Sequence, residues 1–174
     1  MKQFILTLKS LRHRQILLIT LLFIAVVGLW LGAALAKRAR GPKEIHLYLL
    51  ALNEVMMLAI YVLPIIAAIV ASRVVTTSRD GGMDTKLRSM GISASRQFGA
   101  NLVVTIMITT LVAVFILALA LVSSLIYGFN RPNNITIISL SALLALVGDA
   151  IAVSAIHTWA AVSYTHLTLP TNRE

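Results

Sequence analysis

Four long apolar runs constrain the fold of this chain more than any other feature. They cover residues 16–36, 47–72, 98–127 and 135–161, which is 21, 26, 30 and 27 residues. A helix that crosses the hydrocarbon core of a bilayer needs about 20 mostly apolar residues. The apolar residues of each run surround the helix instead of forming one stripe, as contact with lipid requires. The sequence therefore predicts an all-α membrane protein with four transmembrane helices.

The composition agrees with a membrane location. Hydrophobic residues make up 59% of the chain and charged residues 12%, whereas charged residues make up about a quarter of an ordinary soluble domain. The net charge of +9 in so apolar a chain indicates contact with lipid headgroups. We therefore expect the lipid bilayer, and no nucleic acid, among the partners.

The segment before the first run has the pattern of an amphipathic helix. Within residues 1–15, Phe4, Ile5, Leu8 and Leu11 fall on one side of a helix, and the four charged residues are all basic. Such a segment suits the headgroup layer of the cytoplasmic leaflet. The alternative is a flexible basic leader that only fixes the orientation of the chain.

The distribution of basic residues predicts the orientation in the membrane. With the N-terminus inside, the cytoplasmic segments 1–15 and 73–97 carry nine basic residues, and the outer segments 37–46 and 128–134 carry five. Cytoplasmic loops carry the excess of Lys and Arg. We therefore expect a multi-pass protein of the cell membrane with a cytoplasmic N-terminus.

The last 13 residues differ from the rest of the chain. Residues 162–174 are polar and without pattern, and they closely resemble the translation of sequencing-adapter DNA. We therefore expect residues 1–161 to be a C-terminally truncated transmembrane domain, followed by a non-native tail. The alternative is a genuine short polar C-terminus.

The loop between the second and third runs has the most specific pattern. A turn signal at residues 79–82 precedes a short helical segment in which Met83, Leu87 and Met90 form an apolar stripe, and Gly91 is placed to end the helix. Ser93 or Ser95 is then placed to cap the next helix. A short amphipathic helix at the membrane face suits docking into the groove of a partner protein. The alternative is a helix that lies on the membrane surface without a partner.

The order of these segments resembles the permease subunit of ABC-2 type transporters. The residues that carry the resemblance are Asp80, Gly81, Gly82, Lys86, Leu87, Met90, Gly91, Ser95 and Arg96. The resemblance covers residues 1–161 and implies the first four of six spans. It also implies two partners, namely a separate ABC ATPase and a second permease subunit in a homodimer or a heterodimer.

In that family the loop after the second span contains a coupling helix that docks on the ATPase. The residues to which the resemblance assigns this role are Asp80, Gly81, Gly82, Met83, Lys86, Leu87, Met90 and Gly91. The predicted function is thus the membrane-spanning permease subunit of an ATP-driven exporter of unknown substrate. The alternative is a non-transporting membrane sensor, immunity or scaffold protein.

The sequence gives no signal for catalysis within this chain. The 174 residues contain no Gly-x-x-x-x-Gly-Lys-Ser/Thr phosphate-binding loop, no His-Glu-x-x-His zinc motif and no Gly-x-Ser-x-Gly nucleophile motif. We therefore expect a transport subunit without its own ATPase site, with no catalytic residue, metal site or cofactor.

Two acidic residues within the spans are candidates for a translocation path. Inserting a charged side chain at the centre of a bilayer costs at least about 2.5 kcal/mol, so an acidic residue there indicates a functional or pairing role. Glu54 lies in the outer half of the second run and Asp149 near the middle of the fourth. The alternative for Glu54 is an interfacial ion pair with Arg40 or Lys43. The alternative for Asp149 is a hydrogen bond between helices.

Overall fold

A computed structural model describes residues 16–41, 47–80, 89 and 91–167. Within these residues the chain forms four long helices and no strand. They are α1 (Ile16–Ala39), α2 (Leu47–Asp80), α3 (Ala94–Ile126) and α4 (Ile135–Leu167). Each contains a segment long and apolar enough to cross a membrane, namely Thr20–Ala39, Tyr48–Thr76, Ala94–Ile126 and Ile135–Ser163. The prediction of an all-α membrane protein with four spans is confirmed.

Helices α2, α3 and α4 pack against one another and form most of the core. The phenol oxygen of Tyr48, at the start of α2, lies 2.6 Å from Oγ of Ser139, near the start of α4. These two helices therefore run in the same direction, and α3 runs in the opposite direction and packs against both. The largest side chains that are fully buried in this bundle are Tyr48, Leu63, Ile116, Leu146, Val55, Val70, Val74, Val104 and Val112.

Helix α1 lies at the side of this three-helix core. Its buried side chains Val27, Leu31 and Leu35 are four residues apart, so they form a single stripe along the helix. A Cβ atom placed on Gly28 would lie 3.6 Å from Cδ1 of Leu119 on α3. The other sides of α1 are exposed, which suits contact with lipid because lipid-facing side chains need no protein partner.

The helices extend beyond the predicted apolar runs. Helix α2 continues past residue 72 to Asp80 and runs through Pro64 as one helix, and α3 begins at Ala94 instead of residue 98. An apolar run ends at the first charged residue, which marks the edge of the hydrocarbon layer. The backbone hydrogen bonds of the helix continue past that residue into the headgroup layer and water. Helix α4 likewise continues to Leu167. The division of the chain at residue 161 stays a prediction.

A glycine-containing motif ends α3. Gly128 has a φ of 64°, which favours glycine, and its N–H donates to the carbonyl oxygen of Leu125 over 3.3 Å. The N–H of Phe129 donates to the carbonyl oxygen of Ser124 over 3.0 Å, and the Phe129 side chain is buried. These two bonds are those of the Schellman motif, so the turn into α4 is specified locally.

Candidate functional site

The first candidate path residue, Glu54, forms an ion pair between α1 and α2. Its carboxylate accepts a hydrogen bond from the guanidinium of Arg38, and both side chains are partly exposed. The expected partners of this carboxylate were Arg40 and Lys43. Lys43 lies outside the described residues. Arg38 is on the last turn of α1 and pairs with Glu54, whereas Arg40 lies in the turn that follows the end of α1.

The ion pair forms part of an open cleft where α1 ends and α2 begins. The cleft has a volume of about 420 Å³ and is lined by Ala34, Lys37, Arg38 and Glu54. Its lining combines two cationic groups, one carboxylate and one small apolar residue. Glu54 therefore lies at the side of the bundle, between α1 and α2.

The second candidate path residue, Asp149, points away from the four helices. It is the fifteenth residue of α4, and it is exposed together with Gly148, Ala145 and Ala152. Among the described residues it has no ion-pair partner. A carboxylate at this depth is costly in lipid. The side of α4 that carries Asp149 is therefore the strongest site for contact with something other than lipid.

The structure does not bring Glu54 and Asp149 together. Glu54 is the eighth residue of α2, and Asp149 is the fifteenth of the parallel helix α4. Counted from the Tyr48–Ser139 contact, Glu54 lies six residues along α2 and Asp149 ten residues along α4, a difference of roughly 6 Å along the helix axes. Glu54 faces α1, whereas Asp149 is turned outwards. The two acids are therefore two separate features within this chain.

Sequence reasoning missed a row of buried polar side chains between α3 and α4. We call this row the polar seam, and it consists of Asn101, Thr105, Thr109, Ser154 and Thr158. The hydroxyls of Thr105 and Thr109 each donate to the carbonyl oxygen four residues earlier, over 2.9 Å. Ser154 on α4 then donates to Oγ1 of Thr109 over 3.2 Å. The four-residue spacing of these polar residues was the signal in the sequence.

Two atoms of the polar seam have unused hydrogen-bonding capacity. Oδ1 of Asn101 and Oγ1 of Thr158 are buried and have no hydrogen-bond partner among the described residues. Buried polar atoms are rarely left unpaired, since each costs about 1–3 kcal/mol. These two unpaired oxygen atoms of the polar seam therefore lower the stability of the bundle.

The predicted coupling segment lies mostly outside the described residues. Asp80 is the last residue of α2, and residues 81–88 and 90 are not described, so Gly81, Gly82, Met83, Lys86, Leu87 and Met90 stay predictions. The amphipathic helix predicted for residues 1–15 also lies outside them. Gly91 has a φ of 74°, a conformation that favours glycine.

The start of α3 is partly as predicted. Ser93 occupies the N-cap position, with extended backbone angles, and its carbonyl oxygen accepts from the N–H of Gln97 over 3.3 Å. Its hydroxyl makes no capping bond and lies instead 3.1 Å from Oγ of Ser95. Ser95 and Arg96 are both exposed. This end of α3 therefore presents polar side chains next to the loop that was predicted to couple to the ATPase.

Comparison with known protein families assigns the chain to a family of membrane transport proteins. A multi-pass helical membrane protein with these polar features fits a transport component, and a family model described as ABC-2 family transporter protein matches residues 7–170. The chain belongs to the ABC-2 transporter family. Neither a search of the curated proteins nor a search of the solved structures gives a match. The resemblance noted in the sequence is confirmed, and the chain is a membrane transport component.

Proposed function

We propose that this chain is the permease subunit of an ATP-driven exporter and that a separate ATPase supplies the energy. The observation that carries the proposal is the family match over residues 7–170, together with four helices that are able to span a membrane. The sequence contains no phosphate-binding loop of the Gly-x-x-x-x-Gly-Lys-Ser/Thr type. Energy for transport must therefore come from another polypeptide if that type of ATPase is used.

We assign the coupling to the segment between α2 and α3. The segment joins two of the three core helices directly, because α2 ends at Asp80 and α3 begins at Ala94. A force applied to this segment would thus act on both helices at once. The proposed contact is the apolar stripe of Met83, Leu87 and Met90, seated in a groove of the ATPase.

We assign the translocation path to the side of α4 that carries Asp149. An unpaired carboxylate at bilayer depth marks a substrate path or a polar contact far more often than a lipid-facing surface. Gly148, Ala145 and Ala152 lie around it and would let another helix or a substrate approach closely. The proposed position of the path is between this side of α4 and a second permease subunit.

The role of Asp149 is testable by its charge. Asp149→Asn keeps the shape and removes the charge, and Asp149→Glu keeps the charge. If the carboxylate contacts substrate, Asp149→Asn lowers transport, and its membrane insertion and association with the ATPase stay at the parent level. Asp149→Glu then retains part of the transport activity. Parent-level transport by Asp149→Asn would remove Asp149 from the path.

The proposed function itself is tested by association with an ATPase. The protein is co-expressed with a candidate ABC ATPase from the same organism, and the membrane protein is purified through a tag. We expect the ATPase to copurify in a fixed ratio and to hydrolyse ATP. A membrane protein that purifies without any ATPase would favour the alternative of a non-transporting sensor, immunity or scaffold protein.

A further inference from the structure

The cleft between α1 and α2 has a chemistry that the coupling of transport to ATP does not use. Its lining residues Ala34, Lys37, Arg38 and Glu54 combine two cationic groups, one carboxylate and an apolar surface. The cleft lies at the end of the bundle where α1 ends and α2 begins. This end of a transmembrane helix lies at the level of the lipid headgroups.

The charges of the cleft favour a ligand with one negative charge. Arg38 is paired with Glu54, and their charges cancel. This pairing also fixes the guanidinium, which has five N–H donors and uses only part of them on one carboxylate. Lys37 is exposed and supplies the remaining positive charge. The cleft is therefore suited to a phosphate diester, which has one negative charge and accepts several hydrogen bonds.

The apolar side of the cleft leads down α1 towards the bilayer core. Trp30 lies four residues before Ala34 and thus one turn away on the same side of the helix, and its side chain is 54% exposed. Lys37 follows Trp30 by seven residues, which is roughly 10 Å along the helix. Because α1 lies at the side of the bundle, no other described part of the chain covers Trp30, and an acyl chain could lie along this surface.

We propose that this cleft binds the phosphate of an anionic phospholipid. Lys37 and Arg38 hold the phosphate, and an acyl chain passes over Ala34 and contacts the Trp30 ring. The same phosphate chemistry would be offered by free inorganic phosphate from water, which lacks the acyl chain. The proposal is independent of the identity of the transported substrate and of the ATPase.

The experiment uses Trp30 as its own reporter. The chain contains two Trp residues, so Trp159→Phe leaves Trp30 as the single tryptophan, which is excited selectively at the red edge of protein absorption. This variant is reconstituted in phosphatidylcholine vesicles that contain a rising fraction of phosphatidylglycerol with brominated acyl chains, which quench Trp on contact. The same titration is repeated with brominated phosphatidylcholine. If the cleft prefers the anionic lipid, Trp30 fluorescence is half-quenched at a lower fraction of brominated phosphatidylglycerol than of brominated phosphatidylcholine.

Substitution at Lys37 tests the site directly. Adding Lys37→Gln is expected to raise the half-quenching fraction about fivefold, the equivalent of about 1 kcal/mol for one basic residue at a membrane surface. Lys37→Arg keeps the charge and should retain the preference. Arg131→Gln is the matched control, because Arg131 is an exposed basic residue at the same end of the bundle, in the turn before α4.

Two results would overturn the proposal. One is a half-quenching fraction that is the same for Lys37→Gln, Arg131→Gln and the parent. The other is loss of the phosphatidylglycerol preference when inorganic phosphate is added at constant ionic strength, since the cleft would then bind the free ion. Far-ultraviolet circular dichroism of each variant confirms that the helices are intact before quenching is compared.

Discussion

The hydroxyl of Ser154 on α4 donates a hydrogen bond to Oγ1 of Thr109 on α3, over 3.2 Å and 45 residues of sequence. Thr109 is able to accept this bond because its own proton is donated to the carbonyl oxygen of Thr105. Both side chains are fully buried. The contact is therefore a buried polar link between two transmembrane helices.

This link predicts a measurable coupling between the two positions. Hydrogen bonds between transmembrane helices contribute on average about 0.6 kcal/mol and at most about 1.7 kcal/mol. We expect a coupling energy in this range from the cycle Thr109→Val, Ser154→Ala and the double variant, measured as the free energy of unfolding in bilayer-like micelles. Ser141→Ala is the control, because Ser141 is exposed and donates only within α4. A coupling energy of zero would contradict the contact.

Tyr48 and Ser139 predict a second, separable effect. Ser139 donates its proton to the carbonyl oxygen of Ile135 over 2.7 Å, so the bond between the two hydroxyls is donated by Tyr48. Tyr48→Phe removes this bond alone and should lower the free energy of unfolding by about 1 kcal/mol. Tyr48→Ala also removes a fully buried ring and should cost about 3–5 kcal/mol.

The same unfolding assay checks this order. Equal losses for Tyr48→Phe and Tyr48→Ala would show that the ring is not packed in the core as described. Tyr61→Ala is the control for removal of an aromatic ring, because Tyr61 is on the same helix and is 67% exposed.

The packing of α1 predicts a specific cross-link. The chain contains no cysteine, so introduced cysteines are unique. Because a Cβ atom on Gly28 would lie 3.6 Å from Cδ1 of Leu119, the pair Gly28→Cys with Leu119→Cys should be joined by a short thiol-specific bifunctional reagent. Gly32→Cys with Leu119→Cys is the control, since a Cβ atom there has no neighbour within 4 Å among the described residues. Equal cross-linking of both pairs would contradict the position of α1.

The number of helices was predictable from the sequence, and their contacts were not. Apolar runs of 21 to 30 residues indicate spanning helices because a helix satisfies all its backbone hydrogen bonds within one segment, as lipid requires. Within lipid, however, apolar residues surround the helix and do not reveal which side faces a neighbour. The polar seam was therefore missed, although Asn101, Thr105 and Thr109 recur every four residues. Glu54 was recognised as unusual, yet its partner Arg38 depends on how α1 is rotated against α2.

The predicted orientation has its own test with single cysteines. Arg131→Cys lies in the exposed turn before α4, and Arg96→Cys is exposed at the opposite end of α3. With the N-terminus inside, a membrane-impermeant maleimide added to intact cells should label Arg131→Cys. It should label Arg96→Cys only after the membrane is permeabilised. The reverse pattern would place the N-terminus and the loop before α3 outside and would exclude coupling to a cytoplasmic ATPase through that loop.

The most direct test of the central claim is a pair of variants in the proposed coupling segment. Leu87→Asp places a charge on the apolar stripe, and Arg88→Gln changes the adjacent residue off the stripe. When each variant is co-expressed with the candidate ATPase, we predict that Leu87→Asp abolishes copurification and transport, whereas Arg88→Gln retains both. Copurification and transport at the parent level in Leu87→Asp would contradict the proposal that this chain is driven through the segment between α2 and α3.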